Sequence, residues 1–286
     1  MGNDSIERLQ AAFAHRKRRA TPFLQAEVAQ RMAGKLDIIT LQPQVVAVVG
    51  SGHGESLPAL VARYPDAAVV DVAASPLLQA ERQRRDAPPW WRRWRGTRPI
   101  EPHIGLPDAL PLADRSVDLL WANIAPAWCG TPETLAREWM RVLRPGGFVM
   151  FSALGPDTAR ELRAAGMAID TARLVDMHDW GDALVHAGLS DPVMDMEQIT
   201  LTYASAAQAL GEWSALLPTR PAHGGLGARA AQQSLVGRLQ AHDAQRVAMT
   251  AEIVYGHAFC VERAPRAPAT VALDAVRSAL PSRRAR

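Results

Sequence analysis

Apolar positions in the first 42 residues recur at helical spacing. Leu24, Val28 and Met32 fall at i, i+4 and i+8 with alanines between them, so one apolar stripe faces the rest of the chain. The period then changes. Val45–Val49 is a near-continuous β-branched run, which predicts a strand buried on both faces. It ends in Gly50-Ser51-Gly52-His53-Gly54, and a helical stretch runs on to about Arg63. A second strand is expected over Ala68–Ala73. Ser75 is placed to cap the next helix and Pro76 to open it, where a missing N–H costs nothing.

The pattern loosens over residues 86–102, which hold four prolines and the run Trp90-Trp91-Arg92-Arg93-Trp94-Arg95. Strands are expected over 98–104, 118–122 and 148–153. Thr131 caps a helix that runs from Pro132 to Leu143, and Pro145-Gly146-Gly147 makes the turn into the next strand. Short buried strands alternating with helices predict an α/β fold with a mostly parallel, Rossmann-like sheet. Further on, a helix starts at Gly155-Pro156, and another covers 178–187 and closes at Gly188. Residues 193–203 read as a strand with breaks, 205–217 and 228–242 as helices, and 252–260 as a last strand. The organisation expected is a helical lid (1–42), a main domain (43–264) with a helical insertion at about 204–245, and a flexible tail (265–286).

Composition narrows the class. With 48% hydrophobic and 21% charged residues, the 286-residue chain is not disordered and can bury a sizeable core. Two cysteines, Cys129 and Cys260, cannot build a disulfide framework or a complete zinc site, and no histidine spacing suggests a metal. No apolar run is long enough to span a bilayer, and the N-terminus has no signal-peptide pattern, so a cytoplasmic protein is expected. The 32 basic residues include only two lysines, Lys17 and Lys35, yet the net charge is just +3. That excess is too mild to point to nucleic acid. The arginines cluster instead, at 15–19 with His15 and Lys17, and again at Arg82, Arg84, Arg85, Arg92, Arg93 and Arg95. Such patches attract acidic partners, and Trp–Arg mixtures suit protein interfaces as well as loop packing.

The glycine loop is the strongest chemical signal. A strand, then G-x-G-x-G, then a helix presents backbone N–H groups to a ligand beyond the strand ends. It is neither the dinucleotide fingerprint, since Glu55 stands where the third glycine would fall, nor a P-loop. A tight turn that merely lets sheet and helix approach is the plainer reading. His178 is a candidate substrate-side residue, although Asp176 and Asp179 beside it also suit a helix start. Tyr255 and His257 read as a hydrogen-bonded core pair, and Cys129 as buried packing.

Several stretches carry a family resemblance: Arg141-Val142-Leu143-Arg144-Pro145-Gly146-Gly147, Phe151-Ser152-Ala153-Leu154-Gly155-Pro156-Asp157-Thr158, the segment from Asp176 to Leu184, Asp191-Pro192-Val193-Met194-Asp195-Met196-Glu197, and Glu252-Ile253-Val254-Tyr255-Gly256-His257. Together they resemble the class I S-adenosylmethionine-dependent methyltransferases, and within them the malonyl-acyl-carrier-protein O-methyltransferases of biotin synthesis. The resemblance implies a Rossmann-like methyltransferase fold and S-adenosylmethionine as cofactor. It also implies methylation of the free carboxyl of a malonyl thioester on an acidic acyl carrier protein. Cofactor contacts are expected at Gly50, Ser51, Gly52, Gly54, Asp71, Asp108 and Asn123, with an arginine to orient the malonyl carboxylate.

The same resemblance exposes departures. Ala73 stands where an acidic residue would bond the ribose, and Asp71 lies two positions earlier, roughly 6.6 Å back along the strand. A bulge would bring it forward. Leu106 stands where a second acidic residue would receive the adenine amino group, with Asp108 close by. The lid reads Ala14-His15-Arg16-Lys17-Arg18-Arg19-Ala20 where relatives carry Tyr-Asp, and Pro126 follows Asn123 where a proline is unusual. These changes predict weakened cofactor binding. They leave open a non-catalytic, methyltransferase-like binding or assembly protein, and a methyltransferase for a different small molecule.

Overall fold

The structure is a computed structural model, and it describes residues 23–52, 54–85, 100–217, 233–239 and 246–262. The lid segment 14–20, the Trp-Arg run at 90–95, the loop 221–227 and the tail lie outside the described residues.

Helix α1 (Phe23–Lys35) precedes strand β1 (Val45–Val49), then come α2 (Leu57–Arg63), β2 (Ala68–Ala73), α3 (Pro76–Arg85), β3 (Glu101–Ile104) and β4 (Val117–Asn123). Helix α4 (Pro132–Val142), β5 (Leu143–Leu154), α5 (Arg160–Ala164), α6 (Met177–Ala187), β6 (Ser190–Tyr203), α7 (Ala206–Leu216) and β7 (Val247–Phe259) follow. The seven strands form one sheet in the order β3-β2-β1-β4-β5-β7-β6. The pairs among β1 to β5 are parallel, and β7 lies antiparallel between β5 and β6. Strands β1, β2 and β4 are buried along nearly their whole length, as their largely apolar sequences require, while the edge strand β3 is mostly exposed.

Two cores flank the sheet. On one face Val46, Val48, Leu119, Trp121, Phe148, Met150 and Tyr255 pack beneath α1, whose Leu24, Val28 and Met32 form the expected stripe. On the other, Val49, Leu120, Ala122 and Phe151 meet Trp139 of α4 and Trp180 of α6, which stack on each other at 5.9 Å with an interplanar angle of 4°. Local caps set the helix ends. Thr131 and Thr134 exchange hydrogen bonds in a capping box at α4, Asp176 accepts the His178 N–H at 2.7 Å at α6, and Gly188 ends α6 with φ +99°.

Three elements differ from the sequence pattern, each because the backbone finds another partner. The Pro-Gly-Gly stretch stays within β5: the Gly146 N–H bonds the Cys260 carbonyl at 2.6 Å and Cys260 N–H returns to Gly147 at 2.8 Å. Residues 155–159 form a turn docked on β7, so α5 starts only at Arg160. After a register shift between Ser190 and Val193, strand β6 pairs without a break to Tyr203, because its partner β7 begins at Val247, earlier than expected. The resulting ribbon continues past the end of β5 to the pair Tyr203–Val247. There Leu201 and Tyr203 join Leu24 of α1 and Trp213 of α7 around a small cavity. Helix α1 and the ribbon therefore flank the C-terminal edge of the sheet.

Candidate active site

Register places one row of residues along that edge. Ile104 pairs with Ala73, Asn123 with Ser152, Ser152 with Tyr255 and Tyr255 with Asp195, while Gly50 directly follows the Val49–Val72 pair. The glycine loop thus leaves β1 between the ends of β2 and β4. Gly50, Gly52 and Gly54 all have positive φ, at +65°, +55° and +87°. Only glycine adopts these angles at little cost. At Gly50 the space is also closed, because a Cβ there would lie 2.5 Å from the Ala125 Cβ. The loop is thus a tight backbone cradle.

Asn123 ends β4 and is 9% exposed. Its amide donates to the Gln25 carbonyl at 2.9 Å, its oxygen accepts from Ser152 Oγ at 3.0 Å, and Ser152 Oγ accepts the Ile124 N–H at 2.9 Å. Asn123 fastens α1 to the sheet. Gln25 itself is 5% exposed, and its Oε1 is buried without a hydrogen-bond partner among the described residues. A buried acceptor in this state costs about 1–3 kcal/mol, which a ligand donor would relieve.

Asp71 does not come forward. Strand β2 pairs regularly with β1 and β3, with no bulge, and Asp71 is 0% exposed. Its carboxylate forms an ion pair with Arg82 of α3, while Gln79 Nε2 reaches Asp71 Oδ2 at 3.4 Å and the His103 carbonyl at 2.9 Å. Arg82 also donates to Ser51 Oγ at 2.6 Å. Arg82 is therefore 5% exposed and buried behind the loop, outside the surface patch in which its sequence neighbours placed it. Ala73, which the resemblance aligns with an acidic residue, is buried.

Leu106 and Asp108 follow β3. Leu106 makes an isolated bridge to Ala109, and Asp108 lies against Gly130, with its Oδ1 buried and unpartnered. Burial, with the Asp108 charge nearby, pushes the Cys129 thiol far up, so it is inert packing. Arg173 donates to the Gly130 carbonyl at 3.5 Å and meets Asp170 at 3.5 Å. His178 is 78% exposed and paired with its own cap, Asp176, at 2.6 Å. Tyr255 and His257 share the α1 face but not a hydrogen bond. Tyr255 donates to Glu197, and half-buried His257 packs on Phe148 at 5.3 Å. Burial lowers the His257 pKa, and Lys35 nearby adds to this.

Gln25 gives no functional signal in sequence, Arg82 falls in what reads as a surface arginine patch, and Glu252 enters only within a resemblance segment. Asp71 did carry a clue. A carboxylate inside Val69-Val70-Asp71-Val72 demands a buried partner.

Residues 47–151 match the methyltransferase domain family. The malonyl-[acyl-carrier protein] O-methyltransferase of Nitrosospira multiformis is 38% identical over 259 residues, covering 85% of this chain and 84% of that one. The enzyme of the same name from Laribacter hongkongensis is 39% identical over 252 residues, with the same coverage. The chain belongs to the malonyl-acyl-carrier-protein O-methyltransferases. This family membership extends well beyond the matched domain, through α6 and β6, where segments particular to the subgroup lie. Among solved structures, the YcgJ protein of Bacillus subtilis superposes with a TM-score of 0.58 at 13% identity, covering 82% of this chain and 100% of that one. A putative methyltransferase from Bacillus halodurans gives 0.57 at 14%, with the same coverage. At such identities the likeness is one of fold, and the fold is that of the class I S-adenosylmethionine-dependent methyltransferases. The protein is a methyltransferase of that class, and no described helix is long and apolar enough to cross a membrane.

Proposed function

We propose that the protein methylates the free carboxyl of a malonyl group carried on acyl carrier protein, with S-adenosylmethionine as donor, supplying a masked primer for biotin precursor synthesis. The observation that carries this reading is relatedness at 38–39% identity across about 85% of the chain.

The residues on the glycine side fit the cofactor. The cradle from Gly50 to Gly54 would face its methionine and ribose, and the unpartnered Oε1 of Gln25 offers an acceptor to a donor such as an ammonium group. On the adenine side, the free oxygen of Asp108 is the acidic acceptor closest to Leu106 in sequence. S-adenosylmethionine supplies a methyl group on an electron-poor sulfur, and a carboxylate accepts it without a general base. Catalysis by this chain then consists of alignment. The loop fixes the donor side, and α1 with the β6–β7 ribbon walls the acceptor side. Arg173 sits beside Gly130, with its two contacts both at 3.5 Å, and is a cation that could orient the malonyl carboxylate.

Ala73 offers the ribose no charged acceptor, and the Asp71 carboxylate is already engaged. This favours a cofactor site weaker than the family pattern, and it motivates the alternative of a non-catalytic binding protein. The arginine and tryptophan clusters of the sequence are the proposed docking surface for the acidic carrier. The test is transfer of a labelled methyl to malonyl-, acetyl- and unacylated carrier protein and to malonyl-coenzyme A. A base-labile label confined to malonyl-carrier protein supports the reading. Label on a different acceptor, or on none while the cofactor binds, overturns it.

A further inference from the structure

The glycine loop is held from behind by Arg82, paired with Asp71 in a role that the family resemblance does not give that carboxylate. We propose that Arg82 is a positioning residue for the cofactor loop, spanning from the Asp71 carboxylate in the sheet to Ser51 between the first two glycines. The inference rests on the reading that this loop holds S-adenosylmethionine.

Three observations converge. Arg82 is 5% exposed, and its guanidinium reaches both the fully buried Asp71 and Ser51 Oγ, the latter at 2.6 Å. Its stem fills the room that Gly54 leaves, for a Cβ there would come within 2.5 Å of Arg82 Cδ. Gln79, one helical turn earlier on the same face of α3, ties Asp71 to the His103 carbonyl of β3 at 2.9 Å, so the anchor is itself anchored. Loop, β2, β3 and α3 are thus joined through one carboxylate.

The pair is an expensive way to make a core. Two charges are desolvated, and among the described residues Asp71 Oδ1 has no hydrogen bond to offset the cost. Apolar side chains of similar volume would hold α3 on the sheet at least as well. They would not reach Ser51. What arginine adds is a planar fork that satisfies two partners in fixed directions, and a lysine, as a point charge, cannot do so. The loop has three residues at positive φ and so needs an outside restraint to keep its N–H groups aimed. A preorganised loop binds its ligand without first losing that freedom.

The test uses the full chain and S-adenosylhomocysteine as the binding probe. Three variants are compared with wild type by titration calorimetry and by thermal unfolding without ligand: Arg82→Lys, Arg82→Met, and the double variant Asp71→Leu/Arg82→Met, which removes both buried charges together. Arg82→Met is expected to lower both affinity and unfolding temperature, because it strands Asp71. The double variant is the decisive one. Its unfolding temperature should return to near that of wild type while affinity stays about tenfold or more below. Arg82→Lys should recover stability before affinity. In turnover, KM for S-adenosylmethionine should rise with KM for the acyl carrier unchanged. A double variant that binds as tightly as wild type overturns the proposal alone. Wild type that binds no S-adenosylhomocysteine overturns the cofactor reading and the proposal with it.

Discussion

Glu252 Oε2 accepts the Asp157 N–H at 2.6 Å, joining the turn after β5 to the middle of β7. The same residue's carbonyl accepts the Gly155 N–H at 2.9 Å and the Thr158 hydroxyl at 3.0 Å. Two segments 95 residues apart in sequence are thereby one structural unit beside the edge of the sheet. Gly155 is required because a Cβ there would run into the Glu252 side chain at 2.5 Å. Replacing Glu252 by alanine should cost about 1.5–3 kcal/mol, the usual worth of a hydrogen bond to a charged group. Amide exchange at Asp157 should speed up with it, and an unchanged unfolding midpoint would refute this role.

The cradle allows a sharper substitution. Gly50→Ala places a methyl 2.5 Å from the Ala125 Cβ at a residue with φ +65°, so strain and overlap act together. Stability should fall by about 1–3 kcal/mol, and cofactor affinity should fall more than Gly34→Ala makes it fall. Gly34 has open space around its Cβ direction, so it controls for simple loss of glycine. Calorimetry on both variants decides the matter.

Asp176 makes stability depend on pH at the acid end. Its pKa is held below the ordinary 3.8 by the His178 N–H it accepts and by the His178 ring beside it. A depressed carboxylate stabilises the fold above its unfolded pKa, and that gain is lost as pH falls through the folded value. Asp176→Ala should therefore be about 1 kcal/mol less stable at pH 7, with the gap closing below about pH 4. Urea midpoints across that range would show the convergence. A gap that stays constant would mean that charge plays no part in the cap.

How much of this was legible in the chain depends on where each hydrogen bond goes. Val45–Val49, the glycine loop, Thr131 and Gly188 declared themselves, because strand burial, caps and left-handed turns are local requirements. The start of α5 did not, since residues 155–159 satisfy their N–H groups on a strand nearly a hundred residues away. Nor did the site. Asp71 was visible as a misplaced charge, but its partner Arg82 lay in a run of arginines that looked like solvent-facing surface. The pattern of residue types could not tell the buried guanidinium of Arg82 from its exposed neighbour Arg84.

At the ribbon, Tyr255 donates to Glu197, which also pairs with Arg31 of α1 at 2.7 Å, while Lys35 lies 4.7 Å over the Tyr255 ring. Burial, reinforced by Glu197, pushes the Tyr255 phenol well above its ordinary value of 10. A raised pKa gives stability that is full below the unfolded value and fades as pH climbs toward the folded one. Tyr255→Phe should cost about 1–2 kcal/mol at pH 7, less than a fully buried charged bond because Glu197 keeps Arg31. The difference should begin to narrow only above about pH 10. An ultraviolet titration in which every tyrosine ionises near pH 10 would contradict the buried bond.

The most direct test of the whole account is a crystal structure with S-adenosylhomocysteine bound. The ligand should lie across the row from Ile104 to Asn123, its backbone-facing side on Gly50 to Gly54. Ala73 should lie beneath the ribose, with Asp71 still paired with Arg82. A ribose held by the Asp71 carboxylate, with Arg82 released from it, would contradict the account.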